Sequence, residues 1–255
     1  MILYLLILLL MLYIITKCTN TNTCKEGFTN ENYKTFIDDN IYDNFYSKIY
    51  DELWDMIPLY TEQINIMKPY FGSNNNFLCF DSKTGHMCQL LSENMKVVGL
   101  DNSIEMIKMS KSKYPKLDFI YGNYNPSIFK NNLFTHIFCP LFSINNKDLD
   151  LFFECIDKWL VHKGYLFITT YDKLDISKFV NESPSKSFKS NYDYNIEFNN
   201  KSLIEKITYE NKKRTNILYL NQPKLDFLNL NLNFKLINKI KIPGFFCYLN
   251  ILQKY

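Results

Sequence analysis

The sequence predicts an α/β fold: a doubly wound, mainly parallel seven-stranded sheet with helices on both faces, an antiparallel C-terminal hairpin and an N-terminal transmembrane helix. Three observations predict it. Between Asn76 and Thr170, short apolar strands alternate with helical patterns in FLCFDSKTGHMCQLL, KVVGLDNSIEMI and KWLVHKGYLFITT, the arrangement that builds a parallel sheet covered on both sides. The closing stretches KLINKIKI and FFCYLNILQK read as a hairpin. Met1 to Ile15 is an unbroken apolar run.

That run is shorter than the roughly 20 residues a bilayer core asks for, but Thr16 and a snorkelling Lys17 extend it. A cleaved signal peptide is the rival reading. No basic residue precedes the run and TKCTNTNTC offers no small-residue cleavage pattern, so an uncleaved anchor is favoured. Lys17 and Lys25 follow it, which places the rest of the chain on the cytosolic face of a membrane. The expected organisation is an anchor over 1–17, a polar tether rich in Thr, Asn and Asp over 18–40, and a folded domain over 41–255.

A chain of 255 residues with a net charge of +3 holds one α/β domain of ordinary size plus some extra. It contains no alanine and a single arginine, Arg214. Asn, Lys, Ile, Tyr and Phe, all drawn from AT-rich codons, fill the space. The scattered lysines form no basic stripe of the kind that tracks phosphates, which argues against a nucleic-acid partner. The 7 cysteines and 3 histidines show no ligand spacing, so no metal is expected. The odd cysteine count, mostly within apolar patterns, fits buried free thiols in a reducing compartment.

From Ile41 to Phe71, Ile49, Leu53, Ile57, Tyr60, Ile64 and Met67 recur at helical intervals. A core-facing helix pair is expected, divided or kinked at Pro58. The first sheet strand, FLCF, then enters a helix through DSKTGH. A strand passing into a helix through such a turn directs free backbone N–H groups at an anionic or nucleotide ligand, which nominates Phe80, Asp81 and Gly85. The next strand, KVVGLD, ends on Asp101, twenty residues beyond Asp81, the spacing at which an acid meets a ribose. Asn102 adjoins it, and Asp101 also reads as a cap for the following helix. Ile104 and Met106 would pack beside a base. The strand LDFIYGN ends on Gly122 and Asn123, whose side-chain oxygen can accept from an amino group. After Thr170, YNIEF, SLIEKITYE and TNILYLN alternate at period two and read as antiparallel strands.

This order of pieces resembles class I S-adenosylmethionine-dependent methyltransferases, and the resemblance extends from about Tyr42 to the C-terminus. It implies a Rossmann-like fold whose last strand inserts antiparallel, and S-adenosylmethionine as cofactor, held by Phe80, Asp81, Gly85, Asp101, Asn102, Met106 and Asn123. It also implies that Tyr42, Phe45, Tyr46 and Tyr50 lie over the cofactor. The family pattern has an acid and then three glycines at the first turn. Here Cys79 replaces the acid, Asp81 and Lys83 replace two glycines, and Gly85 matches. Thr135 stands where an Asp is common in the fourth strand. No NPPY-type motif follows, which argues against base or amide nitrogen as the methyl acceptor. His162 and Lys163 replace Pro and Gly in the turn before the fifth strand. The wording FTHIFCPLFSI…DKWLVHKGYLFITTYDK is similar to methyltransferase-like proteins of giant viruses, several of which carry an apolar N-terminal anchor.

Two functions follow as expectations. One is a membrane-anchored methyltransferase with an unassigned acceptor and no designated catalytic residue, because methyl transfer requires mainly in-line positioning. The other is a methyltransferase-fold binding or scaffold protein without turnover, since side chains at two glycine positions crowd the cofactor loop.

Overall fold

In the computed structural model the described residues are 33–93, 95–172, 176, 192–199, 201–210, 212–221 and 233–255. The apolar run and residues 18–32 of the tether lie outside them. Among the described residues no helix is long and apolar enough to cross a membrane.

The strands are β1 (Tyr33–Ile37), β2 (Asn76–Phe80), β3 (Lys96–Asp101), β4 (Asp118–Tyr121), β5 (Phe134–Cys139), β6 (Leu160–Tyr171), β7 (Tyr192–Phe198), β8 (Ser202–Tyr209), β9 (Lys212–Tyr219), β10 (Phe234–Lys241) and β11 (Cys247–Lys254). The helices are α1 (Asn44–Leu53), α2 (Ile57–Met67), α3 (His86–Leu91), α4 (Ile104–Lys113) and α5 (Leu149–Trp159).

The main sheet has seven strands in the order β10-β11-β6-β5-β2-β3-β4. Pairings from β6 through β4 are parallel, and β11 runs antiparallel to both β6 and β10. The expected mainly parallel sheet with one inserted reversed strand is present. Side chains of β2 alternate between its faces. Phe77 and Cys79 join a core with Tyr60, Met67, Met87 and Leu91 of α2 and α3. Leu78 and Phe80 join the opposite core with Phe152, Ile156 and Trp159 of α5. Helices therefore cover both faces, as a doubly wound sheet requires.

The helix pair is divided before Pro58, which occupies the first turn of α2, where its missing N–H costs nothing. The break shifts the helical phase: Ile57, expected in the core, is exposed, and Leu59 is buried instead. His136, one of the three histidines, is a core residue. Its ring stacks on Phe77 at 4.5 Å, and Nε2 lies 2.9 Å from the Tyr70 carbonyl oxygen.

A second sheet, ordered β1-β9-β8-β7, is built from the alternating segments after β6 together with Tyr33–Ile37. The sequence placed those five residues in the tether; they pair in parallel with β9. Their anchor is Phe36, whose ring lies 3.7 Å from the guanidinium carbon of the buried Arg214. Arg214 also donates to Asp43 Oδ2 and to the Ile41 carbonyl, each at 2.8 Å. The single arginine thus pins the entry to α1 onto the second sheet, and residues 33–37 belong to the folded unit rather than to the tether.

Candidate functional site

The chain leaves β2 for β3 and β4 on one side, then returns to β5 and β6 on the other. Ligand crevices in doubly wound sheets form at such a reversal, beyond the C-terminal strand ends. Here the C-terminal ends of β2, β3, β4 and β5 bring together Asp81, Asp101, Asn123 and Phe142. Three adjoining cavities open over them. The first, about 230 Å³, is lined by Phe80, Asp81, Leu100, Asp101, Asn102, Gly122, Asn123, Tyr124 and Lys147. The second, about 590 Å³, shares Asp81 and Lys147 with it and adds Asp38, Asp39, Tyr42, Lys83, Ser143 and Asn145. The third, about 570 Å³, shares Tyr42, Lys83 and Phe142 with the second and is walled by Tyr46, Tyr50, Trp54, Tyr60 and Glu205.

The turn after β2 keeps a backbone suited to glycine without the glycines. Asp81 has φ 55°, Lys83 φ 49° and Gly85 φ 88°, so all three family positions are left-handed. Only at Gly85 is that conformation free of a Cβ penalty. Two contacts hold the other two. Lys83 Nζ lies 2.6 Å from Asp81 Oδ1, and the Lys83 backbone N–H donates to Asp101 Oδ2 at 2.8 Å. Lys83 Nζ also sits 3.8 Å from the centre of the Tyr42 ring, a cation–π contact. Burial works against this ammonium, but the charges of Asp81 and Asp101 raise its pKa well above the usual value.

Asp101 is 1% exposed. Its Oδ1 accepts from the Ser103 N–H at 2.8 Å, and Ser103 rather than Asp101 caps α4 by accepting from Met106 N–H. Burial pushes the Asp101 carboxyl up to about 6, against the pull of the Lys83 ammonium. It is a desolvated acceptor with lone pairs left for donors from a ligand.

Of the nominated residues, Phe80, Asp81, Asp101, Asn102 and Asn123 line the first cavity. Asn123 Oδ1 accepts from the Tyr124 N–H at 2.9 Å. Two others lie elsewhere. Gly85 packs inward, where an added Cβ would meet the Phe119 ring at 2.7 Å, so its role is to let the turn seat on the sheet. Met106 is buried among Ile41, Phe45 and Tyr46, because α4 turns that face toward α1 rather than toward the cleft. Ile104, the other residue expected beside a base, is 42% exposed.

Sequence reasoning missed Tyr124, Lys147, Asp39 and Glu205. Asp39 accepts from Asn102 Nδ2 at 3.0 Å, joining the N-terminal segment to the cleft. Glu205 is 5% exposed and accepts four hydrogen bonds, from Tyr46 OH and Tyr194 OH at 2.7 Å and from Trp54 Nε1 and Asn216 Nδ2 at 3.0 Å. The signal for Glu205 was present: it shares an alternation phase with Leu203 and Ile207, both buried. An acid in the apolar phase of a strand marks a buried polar partner.

The residues present fit S-adenosylmethionine. The two cavities nearest the turn are lined by Asp38, Asp39, Asp81 and Asp101 against Lys83 and Lys147, a balance that suits a cationic ligand. Phe80, Leu100 and Tyr124 supply apolar walls for a base.

Residues 80–168 match the family model described as a methyltransferase domain. No curated protein matches the sequence. Solved structures with the same fold include an S-adenosylmethionine-dependent methyltransferase from Clostridium acetobutylicum, with TM-score 0.61 and 16% identity over 83% of this chain and 98% of that one. The CcbJ methyltransferase from Streptomyces caelestis has TM-score 0.62 and 12% identity over 84% and 97%. The PH0226 protein from Pyrococcus horikoshii has TM-score 0.57 and 15% identity over 81% and 98%.

Proposed function

We propose that this chain is an S-adenosylmethionine-dependent methyltransferase; the match of residues 80–168 to the methyltransferase-domain model and the Rossmann-like fold shared with solved methyltransferases support the reading. S-adenosylmethionine, when bound, supplies an electrophilic methyl group on a sulfonium. The chain's own residues do the rest. Asp101 accepts the ribose hydroxyls, and the surrounding carboxylates favour a positive ligand. Tyr42, Tyr46 and Tyr50 of the segment over the cleft exclude water from the junction between donor and acceptor. The observation that carries the reading is Asp101: a buried carboxylate with spare acceptor capacity at the strand ends flanking the sheet's reversal.

Calorimetric titration of the full chain with S-adenosylhomocysteine tests it. The ionised carboxylate is the form that accepts two hydroxyls, and its pKa before binding is about 6. Affinity should therefore be flat above pH 7 and fall toward about tenfold per pH unit below 6. Asp101→Ala should weaken binding at least about a hundredfold, two charge-assisted hydrogen bonds being lost. Absence of binding by the parent at any pH would instead favour a binding or scaffold protein without turnover.

The finer reading, a giant-virus type enzyme tethered to the cytosolic face of a membrane, rests on the wording FTHIFCPLFSI…DKWLVHKGYLFITTYDK for the type and on the apolar run Met1–Ile15 with the lysines after it for the tether. Carbonate extraction should leave the full-length chain in the membrane pellet. Its release, or a mature N-terminus near residue 20, would exclude an uncleaved anchor.

A further inference from the structure

Two hydrogen-bond donors border the middle cavity, where the cofactor turn meets the aromatic pocket. Lys83 Nζ is one; of the three N–H bonds of its ammonium, Asp81 takes one and Tyr42 lies against a second. The other is Asn145 Nδ2. Asn145 is 6% exposed and lines this cavity. Its Oδ1 is engaged by the Tyr171 hydroxyl at 3.1 Å, which turns the amide so that Nδ2 is the free end, and Nδ2 is buried with no partner. An orphaned buried donor costs about 1–3 kcal/mol unless a ligand satisfies it. The segment carrying it is held in strain: Phe142 has φ 68° and Asn146 φ 55°, and a bulky aromatic residue in that region persists only where surrounding packing enforces it. Phe142 is wedged between Trp54 and Tyr171, with ring centres 6.3 and 5.3 Å away.

Carboxylates near the same cavity are already engaged. Asp81 is paired with Lys83, Asp38 accepts from the Tyr219 N–H, and Asp39 accepts from Asn102. Glu205 of the neighbouring aromatic pocket has both oxygens doubly occupied. Among the described residues lining this cavity, Asn145 Nδ2 is the one buried side-chain polar atom without a partner, so the unmet demand at the junction is for an acceptor oxygen.

Resting on the methyltransferase reading, we infer that the methyl acceptor is a carboxylate oxygen carried on an aromatic body. Lys83 Nζ and Asn145 Nδ2 hold the oxygen, and the body lies among Tyr42, Tyr46, Tyr50, Trp54 and Phe142. The acceptor oxygen contributes the electron pair of the new O–CH3 bond. The S–CH3 bond breaks, its pair stays on sulfur, and the sulfonium becomes a neutral thioether. No proton leaves an oxygen that is already ionised, so no general base is required, in keeping with the lack of a designated one.

The test uses the full chain and three probes of one shape, benzoate, benzyl alcohol and benzylamine, titrated by calorimetry with and without S-adenosylhomocysteine. Benzoate should bind tightest, and Lys83→Met or Asn145→Leu should weaken it about tenfold or more while leaving benzyl alcohol within about threefold. Benzylamine binding as tightly as benzoate, or benzoate indifferent to both substitutions, overturns the inference. The alternative source of an anionic oxygen is the cofactor's own carboxylate. If Lys83→Met and Asn145→Leu weaken S-adenosylhomocysteine but not 5′-methylthioadenosine, which lacks that carboxylate, and leave benzoate unchanged, the donors belong to the cofactor and the acceptor assignment falls. If benzoate binds as expected while S-adenosylhomocysteine does not bind at all, the cofactor reading fails and the oxyanion site stands.

Discussion

Glu205→Ala should be the most damaging single substitution in the described residues outside the apolar cores, lowering unfolding free energy by about 3–5 kcal/mol in chemical denaturation. Four donors converge on that carboxylate, two from α1 and the residue after it (Tyr46, Trp54) and two from the second sheet (Tyr194, Asn216). Truncation takes the carboxylate from all four at once and leaves Trp54 Nε1 with only its second acceptor, the Tyr46 hydroxyl at 3.1 Å. Burial, reinforced by the adjacent carboxylate, raises the hydroxyl pKa of Tyr46 and of Tyr194 well above the usual value, so both remain donors across the working pH range. Tyr46→Phe deletes one donor, leaves the carboxylate three, and should cost only about 1 kcal/mol. Equal losses in the two variants would mean that the hub acts through packing of the ring and not through the carboxylate.

The second large effect is non-additive. Asp81→Gly alone removes a Cβ from a left-handed position, a relief of about 1–2 kcal/mol. It also strips the nearest counter-charge from Lys83, whose side chain is 10% exposed, at a cost of about 3–5 kcal/mol. The single variant should therefore be less stable than the parent by about 2 kcal/mol. Asp81→Gly with Lys83→Gly removes both strained Cβ atoms and leaves no orphaned ammonium, against about 0.4–1 kcal/mol of added chain entropy at each site. The double variant should regain parental stability or exceed it, with a coupling of about 2 kcal/mol or more. It should also bind S-adenosylhomocysteine more tightly than the parent, because two Cβ atoms no longer stand between the turn's backbone and the cofactor. Additive free energies would show that the 2.6 Å pair contributes nothing that water does not replace.

The main sheet was legible because parallel strands buried on both faces leave long apolar runs, and β2, β3 and β5 have them. The placement of Asp101 at the end of β3, in the wall of the first cavity, was legible from spacing alone. What escaped were contacts set by tertiary approach. Nothing in YKTFI announces that Phe36 will lie under the guanidinium of Arg214, nearly 180 residues later. Met106 and Gly85 were assigned to the cofactor because they flank the right strand ends. Their direction depends on how α4 and the turn seat on Phe119 and α1, which periodicity does not encode. The replacement of two glycines reads from sequence as crowding of the cofactor loop by side chains. The backbone instead retains all three left-handed positions, since conformation there is held by the Asp81–Lys83 pair and the Lys83–Asp101 hydrogen bond.

β1 has consequences for how this domain bears load. Among the described residues it is an edge strand, joined to its sheet only through β9 across five paired positions, Tyr33 to Ile37. Edge strands are the parts of a sheet most easily detached, and this one leads within five residues to Tyr42. A pull at Tyr33 would shear a short ladder and then draw on Asp38 and Asp39, whose carboxylates hold the Tyr219 N–H and the Asn102 amide. Tension applied at Tyr33 would thus reach the rim of the cleft, through Asp38 and Asp39, once this short ladder yields.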